Sequence, residues 1–292
     1  MSAPYIGALA NREFVKMNGL GNEIVVIDLR HSPKRIEPAA ARAAARQEPY
    51  DQLMALYPAC GEADAAVRIY NNDGSEAGAC GNGMRCVAAL IAAETGRTDL
   101  TFETPAGVIS GRRAGEFFTV DMGRPRWRWD EIPLSREFAD TGAIELSYGP
   151  AGAPILHAPS AVSMGNPHAI FWVDDPNAYD LATIGPALEH DPLFPERANI
   201  TLAAIPSRER LLIRTWERGA GLTQACGSAA CAAAVAAARL GRTERRVTVS
   251  LPGGELAIEW RASDDHVLMT GPVAYEHKGR FDAALFADLG AA

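Results

Sequence analysis

Several features that define large classes of proteins are missing from this sequence. It has no run of about 18 strongly apolar, uncharged residues, so we expect no membrane span. Its first residues lack a charged stretch followed by a long apolar core, so we expect no export signal and interpret residues 1–12 as a loose leader. There is no long basic run and the formal net charge is −8, which argues against a nucleic-acid-binding protein and favours a small-molecule substrate.

Cysteine is scarce, and the pattern typical of metal sites is absent. The chain has five cysteines, and no Cys-x-x-Cys pair or paired histidine accompanies them, so we expect no structural metal. An odd number of cysteines without an export signal favours reduced thiols in the cytoplasm over a disulfide scaffold. We interpret Cys60, Cys86 and Cys231 as small buried hydrophobic residues.

What the sequence does contain is one stretch that occurs twice. Residues 68–97 read RIYNNDGSEAGACGNGMRCVAALIAAETGR, and residues 214–242 read RTWERGAGLTQACGSAACAAAVAAARLGR. In each copy an arginine stands twelve residues before the cysteine of an Ala-Cys-Gly triplet, and an alanine-rich run follows that ends at Gly-Arg. The two cysteines, Cys80 and Cys226, are 146 residues apart. We therefore interpret them as an equivalent pair in a duplicated chain.

Other markers repeat at nearly the same spacing. A Gly-Asn pair occurs at 21–22 and at 165–166, and a Pro-x-Gly triplet occurs at 105–107 and at 252–254. The sequence therefore predicts an N-terminal lobe over residues 12–126 and a C-terminal lobe over 127–277, with the last strand free to pack on the other lobe. The alanine-rich run after each cysteine predicts a helix that is apolar on all sides and buried.

A cysteine at the beginning of a helix has chemical consequences. The free N–H groups of the first turn can hold a carboxylate, and the helix dipole is expected to lower the cysteine pKa toward neutrality. Cys80 and Cys226, facing each other across a cleft, could then invert a carbon centre. One thiolate would take the proton, while the other thiol would deliver a proton from the opposite face, without a cofactor.

Five stretches carry a resemblance to a known family: KMNGLGNEIVVID, RIYNNDGSEAGACGNGMRC, SMGNPHAI, ERANI and TWERGAGLTQACGSAAC. With them, residues from about 14 to 275 resemble the diaminopimelate epimerase family, part of the cofactor-independent amino-acid racemase and epimerase superfamily. The resemblance implies an α/β (α+β) fold of two pseudo-symmetric lobes. Each would be a barrel-like set of strands around a central apolar helix, with the active site in the cleft between them. It also implies a homodimer.

The resemblance further implies roles for individual residues. Cys80 and Cys226 would be the catalytic thiols, with His168 and Glu217 near them to set their protonation. The reacting α-carboxylate would be held at the two helix beginnings, by Gly81, Asn82, Gly227 and Ser228. The remaining substrate-binding residues would be Asn22, Gln52, Asn71, Asn166, Asn199, Glu217 and Arg218. At the distal end of the substrate, Arg218 would pair with the carboxylate and Glu217 with the ammonium group.

The expected function is that of an isomerase that converts LL-2,6-diaminopimelate to the meso form in lysine and peptidoglycan precursor synthesis. This sequence departs from the family pattern at six positions. The departures are Asn18 in place of histidine, Glu23 in place of aspartate, Ile24 in place of phenylalanine, Ala79 in place of glutamine, Leu222 in place of glutamate and Ala229 in place of glycine. These changes bear on rate and specificity, so a racemase for another amino acid, such as histidine or lysine, is an alternative. A non-catalytic amino-acid-binding relative is a second alternative.

Overall fold

The chain forms two compact units. The computed structural model describes residues 7–32 and 34–290. The first unit comprises the residues through Val120 together with those from Gly271 onward, and the second unit comprises Asp121–Thr270. The lobe boundaries of 12–126 and 127–277 stay a prediction, since they assume homologous halves.

Strands and helices alternate along the chain. Their bounds, in order, are β1 (Glu13–Asn18), β2 (Glu23–Asp28), α1 (Pro38–Gln47), β3 (Gln52–Tyr57), β4 (Ala65–Asn71), β5 (Glu76–Ala77), α2 (Gly81–Thr95), β6 (Asp99–Thr104), β7 (Gly107–Ala114), β8 (Phe117–Asp121), β9 (Ser147–Tyr148), β10 (Leu156–His157), β11 (Ser160–Ser163), β12 (Pro167–Trp172), the 3-10 helix η1 (Pro176–Ala178), α3 (Leu181–Glu189), β13 (Asn199–Ser207), β14 (Arg210–Glu217), β15 (Gly221–Leu222), α4 (Gly227–Arg239), β16 (Arg246–Leu251), β17 (Gly254–Trp260), β18 (Val267–Gly271), β19 (Ala274–Arg280) and the 3-10 helix η2 (Ala283–Gly290). Among the described residues, no helix is long and apolar enough to cross a membrane.

In the first unit, two crossover connections carry the helices. Strand β1 pairs antiparallel with β2 and β19. Strand β2 is parallel to β3, and α1 connects them. Strand β3 is antiparallel to β4, which is parallel to β6 through α2. Strands β6, β7 and β8 continue antiparallel. Helix α2 packs against β2, β3, β6 and β7.

The second unit has the same connectivity. Strand β11 is antiparallel to β12, which is parallel to β13 through η1 and α3. Strand β13 is antiparallel to β14, which is parallel to β16 through α4. Strands β16, β17 and β18 are antiparallel neighbours. Helix α4 packs against the strands from β11 to β17 except β15. Each step of the first unit therefore has a counterpart here, whereas β9, β10 and β19 have none.

The two central helices are buried, as their composition predicted. Helix α2 ends at Gly96, whose φ of +71° is the left-handed conformation that glycine adopts without strain. Nearly every residue of α4 is buried, and most are alanines. Small side chains on all sides let the surrounding strands lie close to a helix, which explains why an alanine-rich sequence forms the centre of a unit. The fully buried side chains of Cys86 and Cys231 belong to these helices, as expected, whereas Cys60 is exposed and the prediction for it is wrong.

The expectation of a loose leader is wrong for residues 7–12. Ala8, Leu9 and Ala10 are buried and belong to a core cluster that also contains Phe281 and Phe286. The backbone N–H of Asn11 donates to the carbonyl of Phe281 at 3.0 Å. These apolar side chains follow no helix or strand period, so no local pattern indicates their burial. Residues 1–6 lie outside the described residues.

Candidate active site

Cys80 is the N-cap residue of α2, and polar groups from the first unit surround its sulfur. The sulfur accepts a hydrogen bond from the backbone N–H of Gly83 at 3.3 Å. It lies 3.5 Å from Oε1 of Gln52 and 3.7 Å from Oδ1 of Asn22. A predicted thiol and two predicted substrate-binding amides therefore meet in one cluster, which we call the Cys80 cluster.

The orientation of the Asn22 amide is fixed by Asp51. Oδ2 of Asp51 accepts hydrogen bonds from Nδ2 of Asn22 and from the backbone N–H of Glu23, both at 2.8 Å. Because a carboxylate only accepts, the amide nitrogen must face Asp51, and the amide oxygen is left facing the Cys80 sulfur. Sequence reasoning missed Asp51, although its position directly before Gln52 was a signal.

The remaining predicted residues of the first unit lie beside this cluster. Asn71 stands opposite Gln52 in the β3–β4 pairing, and its Nδ2 donates to Oγ of Ser75 at 3.0 Å. Gly81 and Asn82 form the first turn of α2. Oδ1 of Asn82 accepts a hydrogen bond from Nη1 of the fully buried Arg85 at 2.9 Å. A buried cation thus orients a side chain at the helix beginning where we expected the α-carboxylate.

The second unit builds an analogous cluster, the Cys226 cluster, at the beginning of α4. Cys226 is the N-cap residue, and its sulfur lies 3.5 Å from Oγ of Ser228. Nδ2 of Asn166 lies 3.4 Å from the same oxygen, and Oδ1 of Asn166 lies 3.0 Å from Nε2 of His168. A polar chain therefore runs from His168 through Asn166 and Ser228 to the thiol.

His168 is fully buried and neutral. Burial, together with the nearby charge of Arg218, lowers its pKa from 6.5 to about 3. Because Oδ1 of Asn166 only accepts, Nε2 carries the hydrogen. In the described part of the chain Nδ1 has no hydrogen-bond partner. His168 therefore acts on the site through its hydrogen bond to Asn166, without a positive charge.

The pKa of Cys226 is raised well above its ordinary value. Burial is the main cause, and the charge of Glu217 together with its hydrogen bond to the thiol raises the pKa further. The hydrogen bond from Ser228 acts in the opposite direction. The expectation that the helix dipole would bring this pKa toward neutrality is therefore wrong for Cys226, because removal of the thiolate from water outweighs the dipole. In this state Cys226 carries its proton.

The turn after β14 holds the two predicted charged residues of the substrate shell. Glu217 accepts a hydrogen bond from the hydroxyl of Thr223. The backbone N–H of Arg218 donates to Oδ1 of Asn199 at 2.9 Å, and its Nη1 donates to the carbonyl of Glu196 at 2.9 Å. Asn199 is the register partner of His168 in the β12–β13 pairing. The predicted residues of the second unit are thus brought together, while Leu222 on β15 leaves 44% of its side chain exposed.

The family model for diaminopimelate epimerase matches residues 14–128 and 160–276. The chain belongs to the diaminopimelate epimerase family. The matched segments contain both N-cap cysteines and every residue of the two clusters. The unmatched stretch between them, residues 129–159, holds β9 and β10.

Curated relatives agree with this assignment. A diaminopimelate epimerase of Rhodopseudomonas palustris strain BisB18 is 65% identical over 281 residues, which are 96% of this chain and 98% of the relative. A diaminopimelate epimerase of Bradyrhizobium sp. strain ORS 278 is 61% identical over 285 residues, covering 96% and 99% of the two chains.

Solved structures of lower identity share the fold. A protein described as a predicted epimerase from Pseudomonas aeruginosa is 21% identical with a TM-score of 0.66, covering 92% of this chain and 99% of that one. A hydroxyproline epimerase from Agrobacterium vitis is 14% identical with a TM-score of 0.66, covering 93% and 92%. At these identities the likeness concerns the fold alone, and it confirms the mixed α/β fold that the sequence predicted.

Proposed function

We propose that this chain converts LL-2,6-diaminopimelate to meso-diaminopimelate, a step in lysine and peptidoglycan precursor synthesis. The observation that carries the proposal is the pair of cysteines, each at the N-cap of a buried central helix in units of identical connectivity. The family and the names of its close relatives support the same substrate.

In the proposed mechanism the two thiols serve opposite faces of one α-carbon. The thiolate of one cysteine removes the α-hydrogen as a proton, and the electron pair of the broken C–H bond stays on the substrate. The thiol of the other cysteine donates its proton to the opposite face, which forms the new C–H bond and leaves that sulfur as the thiolate. Proton and charge balance without a cofactor, and the two cysteines exchange roles when the reaction runs backwards.

Burial and Glu217 raise the pKa of Cys226, so Cys226 carries the proton that the mechanism requires of the donor. The two-thiol mechanism then gives the role of base to Cys80 in that direction of the reaction. The N–H groups and side chains at the helix beginnings (Gly81, Asn82, Gly227 and Ser228) would hold the α-carboxylate. The distal amino-acid group of the substrate would bind Arg218 and Glu217, with the amides of both clusters as further partners.

The experiment is α-proton exchange of diaminopimelate in deuterated water, followed by NMR. We expect Cys80→Ala and Cys226→Ala each to lower epimerisation by about a thousandfold or more, since each removes a positioned acid or base. The chain supplies matched controls, because Cys86 and Cys231 are buried cysteines on the same two helices. Cys86→Ala and Cys231→Ala should keep turnover within a few fold. Near-wild-type turnover in either of the first two variants would refute the two-thiol mechanism.

A second substrate is favoured by one specific observation. Leu222 is an exposed apolar residue on β15, where the family pattern has a carboxylate. It lies opposite Trp216, the residue before Glu217, in the β14–β15 hairpin. A racemase for another amino acid, such as histidine or lysine, is therefore the alternative. A panel of amino acids in deuterated water decides, since the preferred substrate takes up α-deuterium fastest. A binding protein without activity would bind diaminopimelate tightly and exchange no α-proton.

We also propose a homodimer in the cytoplasm. The dimer is what the family resemblance implies, and light scattering coupled to size-exclusion chromatography tests it by mass. All five cysteines are free, which supports a reducing compartment. Fractionation of the source cells that places the enzyme outside the cytoplasm would contradict this location.

A further inference from the structure

Glu189 is a buried carboxylate that the proposed mechanism does not use. It is the last residue of α3, and only 3% of its surface is exposed. Carboxylates are rarely buried to this extent unless hydrogen bonds satisfy both oxygens. The hydrogen-bond donors around Glu189 therefore indicate the role of this carboxylate.

Three N–H donors point at the two oxygens of Glu189. Oε1 accepts hydrogen bonds from the backbone N–H of Gly219 at 3.0 Å and from Nη1 of Arg197 at 3.2 Å. Oε2 accepts a hydrogen bond from Nε1 of Trp216 at 2.7 Å. Both oxygens must therefore be acceptors, a requirement that a carboxylate meets and a carboxamide does not.

Two of these donors flank the pair of charged residues that we assign to the substrate shell. Trp216 precedes Glu217, and Gly219 follows Arg218. The turn between β14 and β15 is closed by the N–H of Ala220, which donates to the carbonyl of Glu217 at 3.1 Å. Gly219 has a φ of +76°, as the third residue of a type II turn requires. Glu189 thus accepts hydrogen bonds from the residue before Glu217 and from the residue after Arg218, and so holds the turn on both sides of this pair.

Asn199 completes the support of this turn. Its Oδ1 accepts the backbone N–H of Arg218, so the consecutive N–H groups of residues 218 and 219 are held by two different side chains. Asn199 is an assigned substrate-binding residue, whereas Glu189 lies beneath the turn, in contact with the backbone and the indole. Its effect on substrate therefore has to pass through the turn.

We infer that Glu189 is a positioning residue that sets the affinity for the distal amino-acid group of the substrate by fixing the turn that carries Glu217 and Arg218. The inference rests on the proposed function, because it takes these two residues to bind the distal group. A turn displaced by even a fraction of an ångström would misplace both charged partners at once. Loss of Glu189 should therefore appear chiefly in KM.

The test is Glu189→Gln, assayed by steady-state epimerisation of diaminopimelate. The glutamine has the same shape, but its NH₂ group must face either Trp216 Nε1–H or Gly219 N–H, which leaves a buried donor without an acceptor. We expect KM to rise about 10- to 100-fold, as the loss of one buried hydrogen bond of this kind implies. Since β14–β15 pairing and Thr223 still hold Glu217 near Cys226, kcat should stay within about fivefold of wild type.

A second substitution provides the rescue. In the double variant Glu189→Gln with Trp216→Phe, the indole donor is gone, so the amide nitrogen no longer opposes another donor while the amide oxygen accepts from the N–H of Gly219. We expect the KM of the double variant to return to that of Trp216→Phe alone. Arg197→Met is the matched control, because it removes the half-exposed partner of Glu189 and leaves the turn contacts intact. It should change KM by less than about twofold, because Arg197 is half-exposed and the two hydrogen bonds from Trp216 and Gly219 that hold the turn remain.

The outcomes separate this inference from the proposed function. If wild-type protein fails to epimerise diaminopimelate, the proposed function falls. If wild type is active and Glu189→Gln is folded with an unchanged KM, the positioning role alone is wrong. If Glu189→Gln does not fold, folded Trp216→Phe decides, because it removes one of the two contacts between Glu189 and the turn; an unchanged KM in that variant would contradict the role. A fall in kcat that tracks a fall in Tm, with KM unchanged, would indicate a merely structural residue.

Discussion

Burial acts in the same way on two titratable residues of the Cys226 cluster. It disfavours the charged form of each, so it raises the pKa of Cys226 and lowers that of His168. Both side chains are therefore neutral near pH 7, and hydrogen bonds connect them through Asn166 and Ser228. The sequence shows that both residues lie in matched motifs of the same half of the chain. The pKa shifts, however, result from burial by the strands around α4, and no local sequence pattern indicates that burial.

The buried state of His168 predicts how stability depends on pH. The folded protein binds the His168 proton with a pKa of about 3, whereas the unfolded chain binds it near 6.5. As pH falls below 6.5 the unfolded state takes up the proton first, so stability is lost on acidification and is fully present above 6.5. We expect this one group to lower the free energy of unfolding by about 2 kcal/mol between pH 7 and pH 5.

Urea unfolding at the two pH values measures this effect against a variant. Other groups also titrate in this range, so the quantity to compare is the difference between wild type and His168→Gln. Glutamine has a similar length and can donate to Asn166 but does not titrate. An equal loss of stability in the two proteins between pH 7 and pH 5 would show that His168 is not buried as a neutral group.

At the scale of single elements, periodicity and composition predicted the helices well. Residue propensities favour a helix over residues 39–46 and another over 180–190, and the structure has Pro38–Gln47 and Leu181–Glu189. The cysteine N-caps and the Gly96 stop of α2 followed from local chemistry alone. What the sequence did not show is how closely an element approaches its neighbour. The contacts of Glu189 with Trp216 and Gly219, and those of Asp51, depend on such approaches, since these donors lie 27 to 30 residues away along the chain.

Helix α3 gives a prediction about one such approach. A Cβ added at Gly185 would lie 2.4 Å from Cγ of Trp216, so the helix touches β14 at a point where no side chain fits. Gly185→Ala gains up to about 1 kcal/mol of helix propensity but overpacks the contact, which costs about 1–3 kcal/mol. We therefore expect net destabilisation in thermal or urea unfolding.

The control for this prediction lies on the same helix. Ala182 is exposed, so only propensity matters there, and Ala182→Gly should cost about 1 kcal/mol. One substitution adds a methyl group to the helix and the other removes one, and we expect each to lower the free energy of unfolding. A Gly185→Ala protein as stable as wild type would mean that Trp216 moves aside freely, which would also weaken the case that Glu189 holds it.

At the scale of the whole molecule, the duplication visible in the sequence predicted which strands and helices recur in each unit. It could not predict β9, β10 and β19, because these strands have no equivalent in the other half of the chain. Strand β19 pairs with β1, and residues 8–10 enter the same core as Phe281 and Phe286. Both ends of the described chain are thus built into the first unit, whereas the second unit is one continuous segment.

The buried leader yields the prediction at this scale. Leu9 is fully buried, in a segment that composition alone assigned to solvent. If the leader is part of the first unit's core, Leu9→Ala should lower the free energy of unfolding by about 2–5 kcal/mol, as other buried leucines do. Val108→Ala is the control, because Val108 is 71% exposed and its truncation should cost about 0.5 kcal/mol or less. Urea unfolding of both variants beside wild type compares them directly. Equal, small effects would mean that the leader does not dock in solution.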